Sequence, residues 1–322
     1  MSHPELPESD EPSDAVQAEP HGEGLLDVTS PVPYDPALAE PASEVGAVGA
    51  RPSRAGRNLK AAIGVGLTLG ALVLGTLLIH KVSFLILVMV AIAVGVWEMR
   101  SALRQAGITA PLAPPLVGSV AMLWAAYVHG PVGLTLAWAL TAGAVVLWRG
   151  AGPVRGAARD VLGGVFVSTY PALLAGFAIL LLAGDDGVSR ILTFLIITVS
   201  SDVGGYAAGV LLGRHPLAPT ISPKKSWEGF GGSALLCVVA GALTVQLLLG
   251  EAWWKGLLLG VAVAVAATIG DLMESLIKRD LGIKDMSDLL PGHGGIMDRL
   301  DSLIVVAPMV WAVLMLIAPT PA

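Results

Sequence analysis

The sequence predicts an all-α, polytopic integral membrane protein of about nine transmembrane helices behind a disordered N-terminal tail. Of 322 residues, 54% are hydrophobic and 14% are charged, against roughly a quarter charged in an ordinary soluble domain. The apolar residues gather in runs of about twenty, the length a helix rising ~1.5 Å per residue needs to cross ~30 Å of hydrocarbon. The basic residues, in turn, cluster on alternate sides of those runs.

Residues 1–57 contain eleven Asp or Glu and three Arg. The segment is rich in Pro, Glu, Ser and Ala and has no sustained apolar period, so it cannot bury enough surface to fold alone. It is expected to be a disordered, acidic cytoplasmic tail. Its length and acidity do not suit a cleaved signal peptide, and the first apolar helix is expected to remain as an anchor. Residues 58–322 are expected to form the membrane-embedded domain, with spans at 60–79, 82–97, 112–128, 131–148, 160–183, 190–212, 231–249, 253–270 and 302–319. Short turns such as His129-Gly130-Pro131 part several of them. The single cysteine, Cys237, lies in an apolar run, which excludes disulfides within the chain and cysteine-rich zinc sites.

Lys and Arg concentrate in cytoplasmic loops. With the amino end inside, all of the 19 basic residues except Lys81, Arg190 and Lys255 fall on the cytoplasmic side. An odd number of spans then places the carboxyl end outside. Two long polar loops, 213–230 and 271–301, meet in the cytoplasm, where nucleotides are available.

These loops hold the chemistry. If the eighth helix runs on to about residue 281, Asp271, Ser275 and Lys278 share one face and Glu274 pairs with Lys278 at i, i+4. Pro291-Gly292-His293-Gly294-Gly295 cannot be regular helix, and its glycines let backbone N–H groups approach an anion. Asp298 and Asp301 follow at i, i+3 on one face of the last span, as a ligand pair or as helix caps. Converging carboxylates repel one another unless a cation sits between them, and oxygen ligands suit Mg²⁺ bridged to phosphates. Asp271, Asp298 and Asp301 are the candidates. Upstream, Ser222-Pro223-Lys224-Lys225-Ser226-Trp227-Glu228-Gly229 combines paired lysines, hydroxyls and an aromatic, as a triphosphate clamp or as contacts to anionic lipid. Asp202 lies inside the sixth apolar run, where a carboxylate is costly and is a functional candidate by default. The role of His293 stays open between base, phosphate donor and structural residue.

The string Ser275-Leu276-Ile277-Lys278-Arg279, four residues, Lys284-Asp285-Met286-Ser287, two residues, then Leu290-Pro291-Gly292-His293-Gly294-Gly295-Ile296-Met297-Asp298-Arg299-Leu300-Asp301 resembles the signature of the phosphatidate cytidylyltransferases, the CDP-diacylglycerol synthases. The resemblance extends upstream through Ser201-Asp202, Gly209, Gly213 and Ser222-Pro223-Lys224-Lys225, and so covers roughly 200–302. Val203 and Ser226 stand where many relatives have threonine. It implies an integral-membrane nucleotidyltransferase joining CTP and phosphatidic acid to give CDP-diacylglycerol and pyrophosphate in phospholipid biosynthesis. It further implies Mg²⁺, with a second cation left open, held first by Asp271 and Asp298 and secondarily by Asp301 and Asp202. Lys224, Lys225, Lys278, Arg279 and Arg299 would hold phosphates, and Ser222, Ser275, Lys284, Asp285, His293, Gly294 and Gly295 complete the motif. No nucleic acid is implied, and oligomeric state, a homodimer included, is left open. The Arg-, Ala- and Gly-rich composition points to a bacterial plasma membrane. Two other classes fit a polytopic chain with cytoplasmic charge: a CTP-dependent lipid-alcohol kinase, and a transporter, for which no internal repeat is evident.

Overall fold

A computed structural model describes residues 59–289 and 294–319, all within one compact unit. The tail expected over 1–57 lies outside the described residues, as do Leu290, Pro291, Gly292 and His293. The helices are α1 (Leu59–Ile79), α2 (Lys81–Gln105), α3 (Ala113–Gly150), α4 (Ala157–Val167), α5 (Leu174–Ala183), α6 (Gly187–Leu212), α7 (Trp227–Leu248), α8 (Trp253–Asp280) and α9 (Met297–Ile317). A π-helical turn, Ser168–Leu173, carries Pro171 and joins α4 to α5 as one continuous span.

Among the described residues seven helices are long and apolar enough to cross a membrane. One of them, α3, contains two spans. Gly130 breaks it at φ 63 and ψ −150, ahead of Pro131, and a Cβ placed on Gly118 would lie 2.3 Å from the Thr141 side chain. In a straight helix those residues would be about 35 Å apart. The chain therefore turns back at Gly130, and the halves on either side are the separate spans expected at 112–128 and 131–148. Together with α1, whose apolar part is the shorter Gly64–Ile79, each of the nine apolar runs is a helical segment.

Local signals explain the boundaries. His80 caps α2 by accepting from Val82 N at 3.2 Å, and Gly107 takes a left-handed φ of 78 just beyond its end. Ser226 caps α7 by accepting from Gly229 N at 3.1 Å, so α7 begins before the expected 231. One element departs from all-α. Pro216–Ala218 and Ser222–Ser226 pair as antiparallel strands β1 and β2, inside the polar loop between α6 and α7. Glu228 anchors this ribbon by accepting from Arg214 N at 3.1 Å and His215 N at 3.2 Å.

Helices α6 to α9 pack side by side in sequence order, with α2, α3 and α5 closing the rest of the core. Cys237 is fully buried. The two ends of the bundle differ. Lys81 donates to Gly184 O at 2.5 Å, Arg190 to Ala318 O at 2.6 Å and Lys255 to Ile317 O at 2.7 Å. The three basic residues assigned to the outside thus gather at one end, each on a carbonyl at or beyond a helix C-terminus.

Candidate active site

At the opposite end, α6, the strand pair, α8 and α9 bring the predicted residues together in two groups. The first surrounds a cavity of about 350 Å³ between α6, α7, α8 and β2. Helices α6 and α7 meet closely because glycine faces glycine: a Cβ on Gly204 would lie 2.5 Å from Gly232 O. Beside that crossing the Ser201 and Ser233 hydroxyls bond to each other at 2.5 Å, and Ser233 also bonds Ser201 O at 2.9 Å. Asp202, Ser222, Lys224, Lys225, Thr268 and Asp271 line the cavity, and Lys225 on β2 forms an ion pair with Asp271 on α8. Asp202 lies close enough to Asp271 and Asp301 for their charges to act on one another, with Lys225 opposing them.

Deeper in the protein, the charges of Glu274, Asp301 and Asp271 act on the Tyr170 hydroxyl, and Glu274 lies next to Asp301. Tyr170 and Glu274 are 3% and 2% exposed, yet the Tyr170 hydroxyl and Glu274 Oε1 have no hydrogen-bond partner among the described residues. A buried polar atom left in this state costs about 1–3 kcal/mol, and neighbouring carboxylates add repulsion. A hard cation relieves both, and the donors are all oxygens. Among the described residues no three His, Cys, Asp or Glu side chains converge at ligand geometry. Mg²⁺ takes one or two carboxylates and completes its shell with water and phosphate oxygens, so the residues present fit it.

The second group shapes the connection from α8 to α9. Lys278 pairs with Glu274 at 3.0 Å, the expected i, i+4 contact, and with Asp298 at 2.6 Å. Asp298 also accepts from Gly295 N at 2.6 Å and Met286 N at 3.0 Å. Its carboxylate is thereby held by Lys278 and by backbone N–H groups of the α8–α9 connection. Gly294 has φ 75, and a Cβ there would lie 2.7 Å from Asp298 Oδ2, so glycine is required on both counts.

Glu98, on α2, completes this group. Fully buried, it accepts from Ser287 Oγ at 2.5 Å, Ile296 N at 3.0 Å and Met297 N at 2.7 Å. Two of these donors are N–H groups at the start of α9, where a negative charge is favoured. A Cβ on Gly295 would lie 2.6 Å from Glu98 Oε1, so the glycine admits the carboxylate. Glu98 and Tyr170 escaped the sequence reading. The rule that marked Asp202, a carboxylate in an apolar run, applies equally to Glu98, but the expected span ended at 97.

Of the other predicted residues, Ser275 is half-buried on the Asp271–Lys278 stripe, and Arg279, Lys284, Asp285 and Arg299 are exposed at the same end. His293 lies outside the described residues.

Comparison with known proteins agrees with this arrangement. The sequence model of the Cytidylyltransferase family matches residues 60–317. A phosphatidate cytidylyltransferase of Mycobacterium leprae (strain TN) is 41% identical over 280 residues, 82% of this chain and 90% of that protein. One from Mycobacterium bovis is 41% identical over 278 residues, 82% of this chain and 91% of its own. One from Brucella suis is 37% identical over 150 residues, 46% of this chain and 54% of its own. With nearly all its membrane-embedded residues matched, the chain belongs to the cytidylyltransferase family.

Proposed function

We propose that the protein is a phosphatidate cytidylyltransferase, converting CTP and phosphatidic acid to CDP-diacylglycerol and pyrophosphate. The observation that carries this reading is the cavity at one end of the bundle, where Lys224 and Lys225 stand opposite Asp202 and Asp271. That arrangement suits two phosphorylated substrates, one arriving from water and one from the bilayer.

A non-bridging oxygen of the lipid phosphate attacks the α-phosphorus of CTP. The bond from that phosphorus to the oxygen bridging to the β-phosphate breaks, and pyrophosphate leaves with the electron pair. Both reactants are anions, so catalysis consists of positioning them and offsetting charge at the α-phosphoryl. Asp271 is the first candidate to hold Mg²⁺, with Asp202 and Asp301 beside it and Glu274 Oε1 turned to the same cluster. Bound there, Mg²⁺ would neutralise phosphate oxygens in the transition state. Lys225, paired with Asp271 at the cavity wall, would with Lys224 donate to the triphosphate. Lys278 acts through Asp298, with Glu98 fixing the other side of the connection, so that Gly294 and Gly295 keep their backbone conformation. Ser222, Ser275, Arg279, Lys284, Asp285 and Arg299 lie around this end for further substrate contacts.

The site end faces the cytoplasm of a bacterial plasma membrane in this reading. Its support is the distribution of charge: Lys81, Arg190 and Lys255 gather at the far end, and the remaining described basic side chains belong to the site end. The test is release of labelled pyrophosphate from [γ-³²P]CTP by the purified protein, with and without phosphatidic acid and Mg²⁺. Release that requires both is expected. Transfer of the label to a lipid alcohol would move the protein to the kinase class, and absence of turnover with every lipid tried would overturn the enzymatic reading.

A further inference from the structure

A second cavity, of about 670 Å³, opens at the same end of the bundle between the α2–α3 and α3–α4 connections. It shares no lining residue with the cavity at Asp271. Arg100, Arg149, Arg155 and Arg159 line it against one acidic residue, Asp160. We propose that this cavity binds the phosphate headgroup of an anionic glycerophospholipid, as a site separate from the catalytic one.

The walls are built rather than incidental. Asp160 is 4% exposed and joins both connections: it accepts from Thr109 N and Thr109 Oγ1, each at 2.7 Å, and from Arg149 Nε at 2.8 Å. Arg149 in turn donates to Pro153 O at 2.5 Å and Arg155 O at 3.1 Å, which fixes the α3–α4 turn. Asp160 and Arg149 thereby neutralise each other, while the positive charge of the other three arginines remains. Arg100 and Arg159 each donate one N–H to a backbone carbonyl, Ala110 O at 3.2 Å and Ala106 O at 3.1 Å. The remaining N–H groups of Arg100 and the whole Arg155 guanidinium have no acceptor among the described residues. Planar guanidinium groups with unused donors match phosphate oxygens.

A lipid is favoured over a free anion by what surrounds the arginines. Leu147 and Trp148 precede Arg149, Val154 precedes Arg155, and Leu162 follows Arg159 by one helical turn; they are 77%, 61%, 89% and 70% exposed. Such side chains at a membrane boundary face acyl chains, and basic pockets between helices on the cytoplasmic side receive anionic headgroups. One molecule with a phosphate and two acyl chains satisfies both surfaces.

The experiment uses the full-length protein in nanodiscs of phosphatidylcholine containing phosphatidylglycerol, which is not a substrate of the proposed reaction, with native mass spectrometry reading the retained lipid. Preferential retention of phosphatidylglycerol is expected, reduced roughly thirtyfold in an R155Q/R159Q variant if each arginine contributes as basic residues near an anionic surface do. An R104Q/R214Q variant removes the same charge from exposed positions outside the cavity and should retain the lipid. Equal losses in the two variants, or equal retention of phosphatidylcholine, would overturn the proposal. So would displacement of the lipid by millimolar inorganic phosphate, which would make the cavity a free-anion site. Because the readout is binding, it stands whether or not the protein turns over CTP.

Discussion

Asp271 and Asp298 are both aspartates facing a lysine at the same end of the bundle, yet their surroundings differ. The Asp271 side chain is 28% exposed and Lys225 opposite it 27%, both lining a cavity. Asp298 is 4% exposed, and besides Lys278 it accepts from two backbone N–H groups. A ligand can replace Lys225 at Asp271 without stranding a buried charge. Displacing Lys278 from Asp298 would leave a buried ammonium with Glu274 alone and a buried carboxylate without its cation. One aspartate is therefore placed to exchange partners during a reaction, and the other to keep them.

The contrast sharpens into five expectations. The largest concerns Asp271→Asn, which should lower kcat/KM by about 10²–10³-fold, the range for removing one preorganised electrostatic group, while the unfolding midpoint shifts little; a fall in both would erase the distinction. Asp298→Ala should act through the fold, destabilising the protein by about 3 kcal/mol because Lys278 is left buried without this partner, with activity lost in parallel; chemical denaturation in detergent reads it. For Glu98→Gln, which keeps the shape and removes the charge, we expect about 1–2 kcal/mol of stability lost and a reduced kcat at nearly unchanged KM for CTP. Glu98→Asp should recover part of the kcat, whereas recovery of stability alone would leave Glu98 a structural residue. Lys224→Ala should raise KM for CTP by roughly tenfold, as loss of one charge-assisted phosphate contact does. At the far end, Lys255→Ala should change turnover by less than about twofold, since its salt bridge to Glu251 is half exposed and contributes little.

Much of this was legible before the fold was seen. The apolar runs marked every helix, and the Gly130-Pro131 pair marked the turn that makes two spans of α3, because both signals are local. The charge distribution separated Lys81, Arg190 and Lys255 from the rest, and the i, i+4 spacing gave the Glu274–Lys278 pair. Less visible was which carboxylates answer to which partners. Asp298 and Asp301 look equivalent at i, i+3, but the Asp298 carboxylate is taken up by Lys278 and by the N–H groups of Gly295 and Met286 in the α8–α9 connection, partners that the spacing does not reveal. Glu98 reaches the N–H groups of Ile296 and Met297 from nearly two hundred positions upstream, a contact no local pattern encodes. The β1–β2 pair was hidden because its residues alternate neither in polarity nor in burial.

The turn at Gly130 has a consequence for the lipid around the protein. The first half of α3, Ala113 to His129, is about 25 Å long at 1.5 Å per residue, several ångströms less than the hydrocarbon thickness of a typical bilayer. The leaflets beside it must draw together, or its flanks must reach outward to meet them. Either response brings phospholipid headgroups inward at the open end of that helical hairpin, beside Arg100 and Arg149, so that the membrane is deformed next to an enzyme whose substrate and product are both lipids.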